Sequence, residues 1–81
     1  MHVTVIFTSL LRTIAGVEHK VLEVAEGTTI EGLSGILAQK YPDLPLETEK
    51  TYFILNDEVT AQDQVLEEGD HVRILRMLAG G

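Results

Sequence analysis

One stretch of this chain has helical spacing, and strand-patterned segments stand on both sides of it. Ile30, Leu33, Ile36, Leu37 and Tyr41 fall on one face of a helix, and Pro42 stops that helix near Tyr41. Its N-cap is Thr28 or Thr29. Thr28 stands at capping-box spacing from Glu31, whereas Thr29 puts Ile30 at the first helical position. Gly32 and Gly35 inside the helix each cost about 1 kcal/mol against alanine. Tertiary packing must offset that cost, or the glycines let the helix lie close to a sheet. A lone amphipathic helix has to bury its apolar face, and the flanking segments supply the surface.

Those segments alternate. Val3, Val5 and Phe7 point one way between His2 and Thr8, with Thr4 and Ile6 opposite. Ser9 to Gly16 is a short helical turn or a loop that wraps Leu10, Leu11, Ile14 and Ala15 inward. Glu18 to Val24 reads as a second strand, with Leu22 and Val24 on one face. After the helix, Leu44 and Leu46 tuck under a loop, and Thr51 to Leu55 makes a third strand. Asn56-Asp57 is a turn signal, weaker than Asn-Gly, before a short edge strand over Glu58 to Thr60. Glu68-Gly69-Asp70 turns the chain into a last strand, His71 to Met77. Val72, Ile74 and Arg76 share one of its faces; Arg73, Leu75 and Met77 share the other. The order ββαβ(β)β describes an α+β domain: a mixed sheet of four to five strands with one main helix packed across it. The helix is a crossover, so the strand after it is expected to pair in parallel only on the other side of the sheet.

Eighty-one residues hold one domain, here 1–77, followed by a short flexible tail, 78–81. With 44% hydrophobic residues the chain builds a core and is not intrinsically disordered. Six basic against thirteen acidic residues give a net charge of -7. That balance speaks against nucleic acid and anionic membranes and for partners with a basic surface. No cysteine is present, which removes disulfides, thiolate metal sites and a catalytic thiol. The N-terminus carries neither a basic leader nor a long apolar run, so a cytoplasmic protein is expected.

No phosphate loop, nucleophile elbow or histidine–carboxylate pair stands at a recognisable spacing. His2, His19 and His71 read as strand residues without metal-ligand spacing. Asp63, Glu67, Glu68 and Asp70 read as a solvated turn lacking the pattern of a calcium loop. Arg12 is either a partner anchor or the solvated end of the first loop.

The sequence closes on Leu78-Ala79-Gly80-Gly81. A terminal Gly-Gly arises by chance about one time in two hundred. It is a frayed end or a cloning scar, or it is functional. Glycines without side chains let a backbone enter a narrow channel on another protein. The chain end offers an α-carboxylate, which becomes an acyl electrophile once an ATP-using partner adenylates it. A protein working this way needs no catalytic residue of its own.

The spacing of several motifs resembles the ubiquitin-like β-grasp sulfur carriers of the MoaD/ThiS family, and among them the small subunits of molybdopterin synthase. The resemblance rests on Leu55-Asn56-Asp57-Glu58-Val59, Asp63, Leu66-Glu67-Glu68-Gly69-Asp70-His71-Val72 and Gly80-Gly81. Phe7, Leu11-Arg12, Ala15-Gly16, Glu26-Gly27-Thr28-Thr29 and Tyr41-Pro42 fit as well. The family's Pro-Pro before the tail is replaced by Arg76-Met77-Leu78-Ala79, and its glycine after the strand-three asparagine by Asp57. Arg76 is similar to the arginine before the tail of ubiquitin-like modifiers.

The resemblance implies a β-grasp fold and a sulfur carrier for molybdopterin, that is molybdenum or tungsten cofactor, biosynthesis. An E1-like adenylating enzyme of the MoeB/ThiF type would activate Gly81 with Mg-ATP. A sulfur donor would then leave a C-terminal thiocarboxylate, the only group the chain carries. Gly80 would give passage into a large subunit of the MoaE type. The resemblance places the partner surface at Thr8, Arg12, Val59, Leu75, Met77, Leu78 and Ala79; for Val59 and Leu75 the other reading is ordinary core. A modifier joined to target lysines, or a carrier for thiamine thiazole, would look similar.

Overall fold

The computed structural model describes residues 1–46 and 50–76. Strands β1 (His2–Phe7), β2 (His19–Glu23), β3 (Thr51–Leu55), β4 (Glu58–Val59) and β5 (His71–Arg76) form one sheet in the order β2-β1-β5-β3-β4. Helix α1 (Ser9–Ala15) joins β1 to β2, and α2 (Ile30–Lys40) joins β2 to β3. This is the β-grasp arrangement, with a second, short helix where the sequence leaves turn or loop open. No helix among the described residues is long and apolar enough to cross a membrane.

The parallel pair departs from expectation. β3, the strand after the crossover helix, runs antiparallel to β5, and β5 is the strand that lies parallel to β1. The last strand thus takes the centre, where it pairs Val72 with Val5 on one side and with Leu55 on the other. Alternation then fills one face of the sheet. Val3, Val5, Phe7, Leu22, Phe53, Leu55, Val72 and Ile74 are buried, packed with Leu11 of α1 and Ile30, Leu33 and Leu37 of α2. Leu44, Leu46 and Leu66 close the core from the loops. Phe7 meets Tyr41 edge-to-face at 5.4 Å, which anchors the end of α2 to the end of β1.

Local chemistry sets the helix ends. Thr29 is the N-cap of α2: its Oγ1 accepts from Gly32 N–H at 3.1 Å. Thr28 instead donates its hydroxyl to Ala25 O at 2.6 Å. Gly16 ends α1 at φ 80°, a left-handed cap whose N–H reaches Arg12 O. One expectation for α2 is corrected, and one of the two roles left open for its glycines falls away at Gly35. Ile36 is 38% exposed, because the buried stripe runs through Ile30, Leu33 and Leu37 and turns Ile36 to its margin. A Cβ at Gly35 would meet nothing within 4 Å, so this glycine does not bring the helix close to the sheet.

Two turns are tighter than their residues suggest. Asn56 and Asp57 both have positive φ, 53° and 66°, the geometry of a type I′ hairpin between β3 and β4. In the acidic turn, Glu67 N–H donates to Asp70 Oδ2 at 2.8 Å, and His2 N–H donates to Glu68 Oε2 at 2.6 Å. The latter bond holds the Glu68 carboxyl below the usual carboxylate range, helped by the nearby His2 imidazole.

Candidate functional site

Leu11 of α1 and Ile30, Leu33 and Leu37 of α2 are buried in the core on one side of the sheet, while Leu10, expected to turn inward, is 50% exposed; the opposite face carries a row of side chains set by register. Ile6 stands beside Arg73, Arg73 beside Ile54, and Ile54 beside Val59. One pleat further along, Leu75 stands beside Tyr52. Ile6, Ile54 and Leu75 are half-buried, Tyr52 is 36% exposed and Val59 is 65% exposed. Neither Val59 nor Leu75 is core. The face ends where β5 hands over to residues 77–81, which lie outside the described residues.

Two arginines flank Leu75 there. Arg73 is exposed on the helix-free face. Arg76 is half-buried on the helix side, across from Thr51, and its Nε is buried without an acceptor. The net acidity of the chain therefore does not describe this end of the sheet.

Thr8 follows β1 and caps α1 by backbone alone; its side chain makes no cap bond. Its Oγ1 donates to Ile74 O at 2.8 Å, which ties the first turn of α1 to β5 near that handover. Arg12 is exposed in the last turn of α1, a favourable place for a cation, and lies 3.7 Å from Glu18. Thr8 is therefore a structural tie, Arg12 a solvated cation in a loose ion pair, and only Val59 and Leu75 stand on the shared face. Met77, Leu78, Ala79, Gly80 and Gly81 lie outside the described residues.

Sequence reasoning missed Ile6, Tyr52 and Ile54. β3 reads Thr-Tyr-Phe-Ile-Leu, apolar on both faces, and nothing in that run says which face meets the helices. The signal lay in pairing: once β5 is central, Arg73 on its outward face marks Ile54 and Ile6 as outward too. Among the described residues there is no buried polar or charged residue and no cluster of histidine and carboxylates fit for a metal ion. The face has the chemistry of a docking surface, with apolar side chains on either side of one central arginine, Arg73.

Comparison with known proteins fits that architecture. The sequence model of the ThiS family matches residues 5–81. The molybdopterin synthase sulfur carrier subunit of Chlamydomonas reinhardtii is 32% identical over 83 residues, which span the whole of both chains. Among solved structures, SAMP1 from Haloferax volcanii superposes with a TM-score of 0.86 at 18% identity, covering all of both chains. A complex of subunits 1 and 2 of the molybdopterin-converting factor from Helicobacter pylori superposes with a TM-score of 0.69 at 23% identity, again over all of both chains. At those identities the structural likenesses speak for the fold.

Proposed function

From the premise that this chain belongs to the ThiS family, we propose that it is a sulfur carrier and serves as the small subunit of a molybdopterin synthase. The observation that carries this reading is the end-to-end match to a sulfur carrier subunit at 32% identity. Gly81 is the reactive residue and Gly80 the one that lets the backbone pass a narrow channel.

The chemistry is acyl activation. A Gly81 carboxylate oxygen attacks the α-phosphorus of Mg-ATP on an E1-like enzyme, and pyrophosphate leaves. The terminal sulfur of a donor persulfide attacks the acyl carbon, and AMP leaves. A thiol then reduces the acyl disulfide to the C-terminal thiocarboxylate, which donates its sulfur to a pterin precursor held by a large subunit. The proposed site of action is the cytoplasm. ATP and Mg belong to the activating partner.

Docking uses the helix-free face. Leu75, Tyr52 and Val59 supply the apolar contact, and Met77, Leu78 and Ala79 are proposed to join the docking residues. Arg12 and Thr8 contribute at the margin, Thr8 by fixing α1 against β5.

Intact-protein mass spectrometry tests the reading. After incubation with an E1-like enzyme, Mg-ATP and a persulfide donor, the mass rises by the exchange of one oxygen for sulfur. A variant lacking Gly81 folds and shows no rise. No rise in the full chain, with a partner that activates an authentic carrier, overturns the proposal. Lysine conjugates without thiocarboxylate assign a modifier instead, and sulfur delivered to thiazole but not to pterin reassigns the pathway.

A further inference from the structure

β2 is an edge strand, and its free side is built to pair with itself. β1 and β2 are antiparallel, with His2 opposite Glu23, Thr4 opposite Val21 and Ile6 opposite His19. Phe7 N–H donates to Glu18 O at 2.8 Å, and Met1 and Val24 exchange both bonds at 2.7 Å. In an antiparallel ladder the bonded pairs recur every second residue, so Lys20 and Leu22 also face β1. His19, Val21 and Glu23 therefore turn their N–H and C=O groups outward from the sheet. The same three residues carry their side chains on the helix-free face, where Val21 is 54% exposed between His19 and Glu23.

We propose that two copies of this chain join β2 to β2, antiparallel about a two-fold axis through Val21. Every constraint of an isologous contact is met by these three residues. Val21 stands against Val21 of the second copy, and His19 stands against Glu23 in both directions. Each of these is a bonded pair, so the contact makes six backbone hydrogen bonds and buries the exposed valines together. The outward residues match, imidazole against carboxylate, only in this register; a shift of two residues in either direction brings Glu23 or His19 against Val21. Glu23 already holds the His2 imidazole at 3.3 Å, so the contact sets it between two imidazoles. The joined sheet has ten strands, and β3 and β4, which carry Tyr52 and Val59, lie at its two far ends.

Sedimentation of the full chain up to ~1 mM, the weak end of specific association, tests the proposal alongside amide hydrogen exchange. The mass climbs from 8.9 kDa toward twice that value. The amides of His19, Val21 and Glu23 slow with concentration, while those of Lys20 and Leu22 are protected throughout. Val21→Pro removes an outward N–H that β1 does not use and abolishes the dimer; if that variant fails to fold, Val21→Lys opposes two like charges at the axis with the same result. His19→Glu sets carboxylate against carboxylate at two surface contacts and weakens association by about 3–10-fold, and adding Glu23→Lys restores it. A chain that stays at 8.9 kDa to the top concentration with fast outward amides overturns the proposal. So does a dimer that survives both Val21 variants, which assigns association to another face.

Discussion

The hydroxyl of Thr8 donates a 2.8 Å hydrogen bond to the backbone carbonyl of Ile74. It joins the residue that follows β1 to β5, the last strand in sequence and the central one of the sheet. Thr8→Val keeps the shape and leaves that carbonyl without this donor. We expect a loss of about 1 kcal/mol in urea unfolding, and Thr8→Ser should recover most of it. Equal stability of the valine variant would show the bond to be replaced by water.

The helix-free face should bind the large subunit through its exposed apolar side chains. Tyr52→Ala and Val59→Glu should each weaken the complex tenfold or more by titration calorimetry, with unchanged circular dichroism. Both side chains are exposed, so the fold does not depend on them. Unaltered binding in both variants would place the interface elsewhere.

Asp57 carries φ 66° in the hairpin between β3 and β4, where glycine sits without a Cβ penalty. Asp57→Gly should raise stability by about 0.5–1 kcal/mol, read from the denaturation midpoint. A loss would mean that the aspartate side chain supports the turn.

The pH dependence has a defined sign at Glu68. Its carboxylate accepts the His2 N–H, so its folded pKa lies below the unfolded one. The stability it adds is present above the unfolded value, ~4.3, and is lost as pH falls through the folded value. Glu68→Gln should be less stable than the parent at neutral pH, and the two should converge in acid. Parallel curves across that range would contradict the assignment.

The sequence makes the elements readable and leaves their assembly hidden. β1 alternates strictly, and Val3, Val5 and Phe7 are the buried set that alternation implies. Thr29 and Pro42 bracket α2 because capping and proline sterics are local. The pairing of β1 with β5 is not local: no residue in either strand encodes its neighbour, so chain order alone assigns the parallel partner to the wrong strand. Ile36 misleads for a related reason, since helical spacing defines a stripe but not how wide the core beneath it is. At the site, Val59 and Leu75 come from motif spacing, while Tyr52 and Ile54 need the register of β3 on β5.

The strand order also bears on biosynthesis. In β2-β1-β5-β3-β4 the two hairpins meet only through β5, the strand translated last. Until His71–Arg76 clears the ribosome, a nascent chain holds two separate hairpins, each with an open edge and an uncovered apolar face. Premature termination therefore leaves a product for proteases rather than a shortened carrier. Any copy that has folded has therefore been translated at least through Arg76.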